Sequence, residues 1–363
     1  MNENAPDPHP LIVDAHLDLA WNALQWNRNL LEPVKANRRR EAGQPEPGRG
    51  QGTVALPELA EGRVALCFAT LLARCTGTPV PDLDYASPEQ AYAAAQGQLA
   101  YYRALEARGA ARILSDAAAL DAHTRQWQES EDAGRRPPLG LVISMEGADP
   151  IPAPHRLLEF WHGGVRAIGL AHYGPGRYAG GTGTETGLTP LGKALLGEME
   201  RLGVILDLTH LSDPAFWQAL EHFSGPVLAS HNNCRALVPH PRQFTDEQLR
   251  AIIARDGVIG AACDAWMLAP GWVTGQTSSE RVSLATVVDH IDHVCQLAGD
   301  TRHAAIGSDL DGGFGREQSP YDLDTIADLQ KLPGLLFARG YRQEDVNAIL
   351  HGNWLRLLRR CWA

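Results

Sequence analysis

Eight short apolar runs recur along the chain: LIVDA at 11–15, RVALCFATLL at 63–72, LGLVISM at 139–145, VRAIGLA at 165–171, GVILDL at 203–208, PVLAS at 226–230, GVIGAA at 257–262 and HAAIGS at 303–308. Within a run the apolar residues follow one another instead of alternating with polar ones, as in parallel strands covered on both faces. Between several runs the apolar spacing lengthens to three and four residues, which predicts helices over 88–109, 189–203, 213–223, 245–257 and 283–299. Eight such units predict an α/β fold of the (β/α)8 TIM-barrel type, and no break in composition divides residues 1–363 into two domains. An open doubly wound sheet is the alternative, but the chain has no GxGxxG after an early strand and no GxxxxGK(S/T). Segment 36–52, rich in Gly, Pro and Arg, is predicted as a loop after the first strand, and 173–188 as a long loop after the fourth. The last stretch, 343–362, reads as a helix, a Gly-Asn break and an amphipathic helix that packs on the barrel.

The polar residues that follow the runs change this picture from a scaffold to a site. The first run leads into Asp14, His16 and Asp18, the third into Glu146, the fourth into His172, the fifth into Asp207 and His210, the sixth into His231, and the eighth into Asp309 and Asp311. A parallel barrel gathers all of its strand ends on one face, so these distant residues converge. Positions i and i+2 of a strand share a side, which aims His16 and Asp18 at one centre and allows Asp14 to join them. With His210, His231 and Glu146 they make a nitrogen and oxygen donor set suited to zinc, with manganese, iron and cobalt still open. Five protein ligands exceed the need of one zinc and suit two ions about 3.5–4 Å apart that share a carboxylate, for which Glu146 is the candidate. Asp309 reads as the catalytic carboxylate, Asp311 as a structural or loop-capping one, and Asp14 and Asp207 as supports for ligand imidazoles. Trp266, Trp272 and Tyr178 are assigned to mouth loops, where packing and pocket lining both stand. The other histidines read as surface or packing residues.

Composition narrows the partners. Hydrophobic residues at 44%, charged residues at 21% and nine Trp describe a folded globular chain. A formal charge of −11 argues against a broad nucleic-acid surface, despite the basic run NRRRE at 37–41. No stretch approaches eighteen consecutive apolar residues, and the opening MNENAPDPHP lacks the basic tip and apolar core of a secretory signal, so no membrane association and a cytoplasmic location are expected. The six Cys are widely spread without CxxC spacing, which favours free thiols over a Cys67–Cys75 bridge.

Seven motifs in order, VDAHLDLAW at 13–21, SMEG at 144–147, GLAH at 169–172, LGVILDLTHLS at 202–212, SHNNCRAL at 230–237, HPRQFTDEQL at 240–249 and IGSDLDG at 306–312, resemble the membrane dipeptidase (renal dipeptidase) family, in its soluble bacterial form. The resemblance runs over about residues 10–355. It implies an amidohydrolase-like barrel with two Zn2+ per chain, one held by His16, Asp18 and bridging Glu146, the other by Glu146, His210 and His231. It implies that His172 contacts the substrate carbonyl or the tetrahedral intermediate, that Arg242 pairs with the substrate's C-terminal carboxylate, and that Asp309 moves the proton of the attacking water. Dipeptide substrates, often with a D-residue on the C-terminal side, and a homodimer follow from the same resemblance. The stretch YGPGRY after His172 and the short interval between His231 and Arg242 depart from familiar relatives, which bears on substrate choice and not on the metals. A hydrolase of another small amide, ester or lactam on the same metals, and a degenerate barrel acting as a binding protein, are the competing functions. A deaminase-like or phosphotriesterase-like barrel fits less well, because those begin with HxH and the binuclear ones bridge through a modified lysine, where this chain has HLD and Glu146.

Overall fold

The computed structural model describes residues 9–78, 80–130 and 137–362; the start of the polar opening, MNENAPDP, lies outside them. Nine strands form one parallel sheet: β1 (Ile12–Leu17), β2 (Val64–Leu72), β3 (Ala111–Ile113), β4 (Leu139–Glu146), β5 (Val165–Gly169), β6 (Ile205–Asp207), β7 (Val227–Leu228), β8 (Ile259–Ala261) and β9 (Ala304–Ile306). Their order is β7-β6-β5-β4-β2-β1-β9-β8, with β3 paired to β4 beside that path. A parallel bridge between Ala229 and Ile259 joins the two ends, Ala229 N–H donating to Val258 O at 2.9 Å and Gly260 N–H to Ala229 O at 2.8 Å. The ring thus contains the eight predicted strands, and β3 is an addition too short for periodicity to reveal.

Continuous apolar runs are needed because each strand is covered twice. Inside the ring, Val13, Ala15, Leu66, Phe68, Val142, Ala167, Ile205, Leu228, Val258 and Ala305 form one apolar cluster with contributions from all eight units. A larger cluster fills the space between strands and helices. The helices Pro88–Ala107, Pro190–Leu202, Asp213–His222, Asp246–Ala254 and Leu284–Ala298 occupy the predicted segments, and side-chain caps at Ser87, Thr189, Ser212 and Thr245 start four of them. No helix among the described residues is long and apolar enough to cross a membrane. All six cysteines are free.

Two local expectations need correction. The segment 36–52 is not all loop, since a helix runs over Val34–Arg40 and buries Val34 and Asn37. Gly352–Asn353 is not a break either: helix Gln343–Asn347 passes through a π-helical turn, Ala348–Gly352, into helix Asn353–Cys361. The side-chain amide of Asn353 donates to Ala304 O at 2.8 Å and Thr301 O at 2.6 Å, so the turn is anchored to β9 instead of opening. Beyond it Trp354, Leu355, Leu357 and Leu358 join the interior cluster, which packs this last helix into the barrel's own core.

The loop after β1 is tied to the loop after β9 by a buried charge cluster. Arg28 donates to Glu41 Oε1 at 2.8 Å and Asp311 Oδ2 at 3.0 Å, while Asp311 Oδ1 accepts the backbone N–H and hydroxyl of Thr53, each at 2.7 Å. Asp311 is therefore the structural carboxylate expected. Burial works against the Glu41 carboxylate, but Arg28 outweighs it and holds the group below its ordinary value. That stabilisation is present above the usual carboxyl pKa and is lost as pH falls through the lower, folded one. Arg28→Met leaves Glu41 paired with Arg49 at 3.2 Å but takes the cation from buried Asp311, and should destabilise the fold by about 3 kcal/mol. Denaturant midpoints at neutral pH check this, and a loss below about 1 kcal/mol would assign the cluster no such weight.

Candidate metal centre

The candidate side chains arise at equivalent points of several strands. His172, His210, His231 and Asp309 each stand three residues past the end of a strand, the ends being Gly169, Asp207, Leu228 and Ile306. Glu146 closes β4, and Asp18 follows directly on β1. His210, Asp309 and Asp311 take φ values of 67°, 58° and 64°. Such left-handed backbone costs a residue with a side chain about 1–3 kcal/mol and persists where the surroundings enforce it. At β1 strict alternation fails, because the pairing with β2 shifts register between Asp14 and Leu17. Asp14 acts through the backbone, its Oδ1 accepting the N–H groups of His16 at 3.2 Å and Ser308 at 2.8 Å.

Glu146 is the hub. Its Oε2 lies 3.5 Å from His16 Nε2, and its Oε1 lies 3.2, 3.3 and 3.6 Å from Nε2 of His210, His231 and His172. His16 Nε2 is also 3.8 Å from Asp18 Oδ1 and 3.8 Å from Asp309 Oδ1. Donor atoms within 4.8 Å of one another form three overlapping sets: His16, Glu146 and His231; Glu146, His172 and His210; and His16, Asp18 and Asp309. These cut across the two sets that the resemblance implies, with Glu146 shared by two and His172 placed among the donors. Arg242 stays outside the sets, and Asp309 is in contact.

The donor chemistry fits cations. Thr182 Oγ1 spends its hydrogen on His210 O at 3.2 Å, so its oxygen accepts from His210 Nδ1–H at 3.1 Å and leaves Nε2 bare. His231 Nδ1 lies 2.8 Å from Ser230 Oγ, and the Nε2 atoms of His210 and His231 stand 3.1 Å apart beside a carboxylate oxygen. Lone pairs gathered so closely need a positive charge between them. His16 Nε2 is buried without a hydrogen-bond partner. Burial opposes charge on His16, yet Glu146, Asp18 and Asp309 outweigh it and push the imidazole up to about 10, a proton answering the same demand. Burial, offset by His16 and reinforced by Glu146 and Asp18, pushes Asp309 well above the usual carboxylate range.

Supporting contacts fix the candidate ligands. The hydroxyl of Thr70 donates to Asp18 Oδ1. Asp207 Oδ1 accepts the N–H groups of Thr209 at 3.0 Å and Ser230 at 3.1 Å, so it orders the residues before His210 and His231, as expected of a support. Ser230 O runs against Gly260 and Gly307, where an added Cβ would sit 2.0 and 1.7 Å from it, and only glycine lets the chain bring His231 to the centre.

A cavity of about 190 Å³ opens on the cluster, and its walls carry residues that the sequence reading passed over, Trp21, Arg74, Tyr173 and Asp264. Arg74 and Asp264 follow the second and seventh apolar runs, so the strand-end rule that points to the other candidates points to these as well. Arg74 is paired to Asp84 at 2.6 Å and lies 3.2 Å from His172 Nδ1. A guanidinium can only donate, so Nδ1 accepts and the neutral ring carries its proton on Nε2, facing Glu146. Burial, with the charges of Arg74 and Arg242 outweighing Glu146, brings His172 down to about 4, which keeps it neutral at physiological pH. Arg242 is 2% exposed, and its Nη1 and Nη2 donate to Asn232 Oδ1 and His231 O, each at 2.8 Å, while its buried Nε has no acceptor. Tyr178 is fully buried, Trp266 stacks edge-on to His240 and Trp272 packs on the core, so none of the three lines the cavity.

A sequence model of the family described as Membrane dipeptidase (Peptidase family M19) matches residues 7–362. A Klebsiella pneumoniae protein known by its place in the pqqA 5' region is 36% identical over 234 residues, 62% of this chain and 83% of that protein. The crystal structure of a dipeptidase AC, a metallopeptidase of family M19, is similar with a TM-score of 0.78 and 27% identity over 98% of this chain and 99% of that one. A metallopeptidase from Rhodobacter sphaeroides, bound to a phosphinate mimic of the dipeptide L-Ala-D-Ala, is similar with a TM-score of 0.78 and 26% identity over 98% of this chain and 100% of that one.

Proposed function

Because this chain belongs to the membrane dipeptidase family, whose members are metal-dependent dipeptidases, we propose that it hydrolyses the amide bond of dipeptides with two zinc ions, for which Glu146 would be the shared ligand. The observation that carries this reading is the contact of one carboxylate, Glu146, with His16, His172, His210 and His231 at 3.2–3.6 Å. In this reading His16, Asp18 and Glu146 would hold one ion, and Glu146, His210 and His231 the other. The ions, when bound, supply Lewis acidity and lower the pKa of water.

The chain's own residues do the rest. Asp309 accepts the proton of the attacking water and returns it to the departing amine. His172 Nε2–H donates to the oxygen of the scissile carbonyl as it gains charge, an interaction worth roughly 3–4 kcal/mol in a preorganised site. Arg242 pairs with the substrate's terminal carboxylate, for which its unclaimed Nε–H is a spare donor. A D-residue on the C-terminal side is taken as acceptable, with support from the Rhodobacter sphaeroides relative and its L-Ala-D-Ala mimic. The working form is taken to be a cytoplasmic homodimer, the free thiols supporting a reducing compartment and the family resemblance the dimer.

The test is a panel of L,L and L,D dipeptides beside N-acyl amino acids and lactams, with metal analysis of the same sample. Hydrolysis confined to the dipeptides, with two zinc ions per chain, supports the reading; hydrolysis confined to the other classes defeats it. Arg242→Ala should raise KM for free-carboxylate dipeptides about 10- to 100-fold, the effect of one lost charged hydrogen bond, and leave C-terminal amides unchanged. Equal KM for both forms in parent and variant would remove the anchoring role.

A further inference from the structure

Asp264 is the carboxylate of the cavity wall to which the proposed hydrolysis gives no task. Asp18 and Glu146 serve the ions, Asp309 the proton, and nearby Asp84 is bound to Arg74 at 2.6 Å. Asp264 lies three residues past the end of β8 at Ala261, is 6% exposed, and lines the same cavity. It is held in place and not neutralised: Oδ1 accepts from Gln318 Nε2 at 2.9 Å and Trp266 N–H at 3.4 Å, and Gln318 is itself fixed by the hydroxyl of Thr274 at 2.7 Å. The positive charge that reaches it is that of Arg242, with which it makes no ion pair among the described residues. A carboxylate kept this deep without a cation is costly unless a ligand supplies one.

A dipeptide brings such a charge. Its α-ammonium is bonded to the carbon attached to the scissile carbonyl, so it must come to rest close to Asp309. Asp264 is within electrostatic reach of both Asp309 and Tyr173 in a cavity of only about 190 Å³. We propose that Asp264 is a specificity-determining residue that receives the α-ammonium group of the dipeptide's N-terminal residue. The inference rests on the dipeptidase reading and adds that the enzyme requires a free amino terminus. Burial, eased by Gln318 and Trp266, pushes the Asp264 carboxyl up to about 7, as suits a group stabilised once an ammonium arrives.

The experiment compares L-Ala-D-Ala, N-acetyl-L-Ala-D-Ala and L-Lys-D-Ala on the zinc-loaded parent, Asp264→Asn and Asp264→Glu. Asp264→Asn should raise KM for both free-amine dipeptides about 10- to 100-fold with kcat little changed, keep the parent's zinc content, and leave the acetylated peptide as poor as before. Asp264→Glu should recover part of the loss. A loss confined to L-Lys-D-Ala would assign the carboxylate to a basic side chain and overturn the proposal, as would unchanged KM in Asp264→Asn. The parent alone gives a second reading that no folding defect can disturb: acetylation must weaken competitive binding by at least tenfold, and equal binding of both forms overturns the inference while dipeptide hydrolysis persists. A parent inert toward every dipeptide defeats the dipeptidase reading and this inference with it.

Discussion

Asp309→Asn is expected to lower kcat by about 10²- to 10⁴-fold while the protein keeps its metals and its fold, the range that a positioned proton-transfer group contributes. The substitution preserves shape and one acceptor oxygen. It removes the ability to take a proton from water and deliver it to the leaving amine. Asp309 is suited to that work because it touches the cluster through His16 at 3.8 Å without being needed in either proposed ligand set. Its left-handed backbone, φ 58°, turns the carboxylate back over the centre from the loop after β9. KM should move little, since Arg242 and Asp264 are the groups proposed to hold the substrate's two ends. Steady-state kinetics with metal analysis of the same preparation decide the matter. A variant with parental metal content and near-parental kcat would strip Asp309 of its role.

Glu146→Gln should have the other large effect, through the metals themselves. A glutamine matches the size of the glutamate but cannot deprotonate, so the charge that would offset the two ions of the proposed site disappears. The nitrogen or oxygen it presents to His210 and His231 is also a poorer ligand. Loss of even an outer contact to a metal ligand costs about 10- to 100-fold in affinity, and loss of the shared ligand should exceed that. Zinc per chain is expected to fall below two, with activity falling in step and returning only in part at high zinc. Elemental analysis after gel filtration and a zinc titration of activity check this. Full zinc content in an inactive variant would mean that Glu146 acts on the substrate and is not the bridge.

The ring of the barrel was legible because strands buried on both faces must be apolar throughout, and that requirement shows in sequence as plainly as in β2, where all nine residues are buried. Helix Val34–Arg40 was not, because its short amphipathic face is two residues, Val34 and Asn37, inside a segment dominated by charge and glycine. The π-helical turn at Ala348–Gly352 depends on where Asn353 finds acceptors on β9, a tertiary fact. His16, Asp18, Glu146, His172, His210, His231 and Asp309, all next to apolar runs in the sequence, are the residues that the fold brings together. Asp14 supports His16 through its backbone N–H, a contact made possible by the irregular pairing of β1 with β2 that one strand's sequence does not display. Arg74 and Asp264 were missed for a simpler reason: neither is a histidine or part of a paired motif, so neither stood out beside residues that look like ligands.

The three left-handed residues of the mouth, His210, Asp309 and Asp311, bear on how far this protein can be hardened against heat. Glycine or asparagine would sit there more comfortably, and a search for tougher sequences would be drawn to those places first. At His210 and Asp309 any such gain would exchange chemistry for ease, so durability has to be sought on the outer helices and away from the rim.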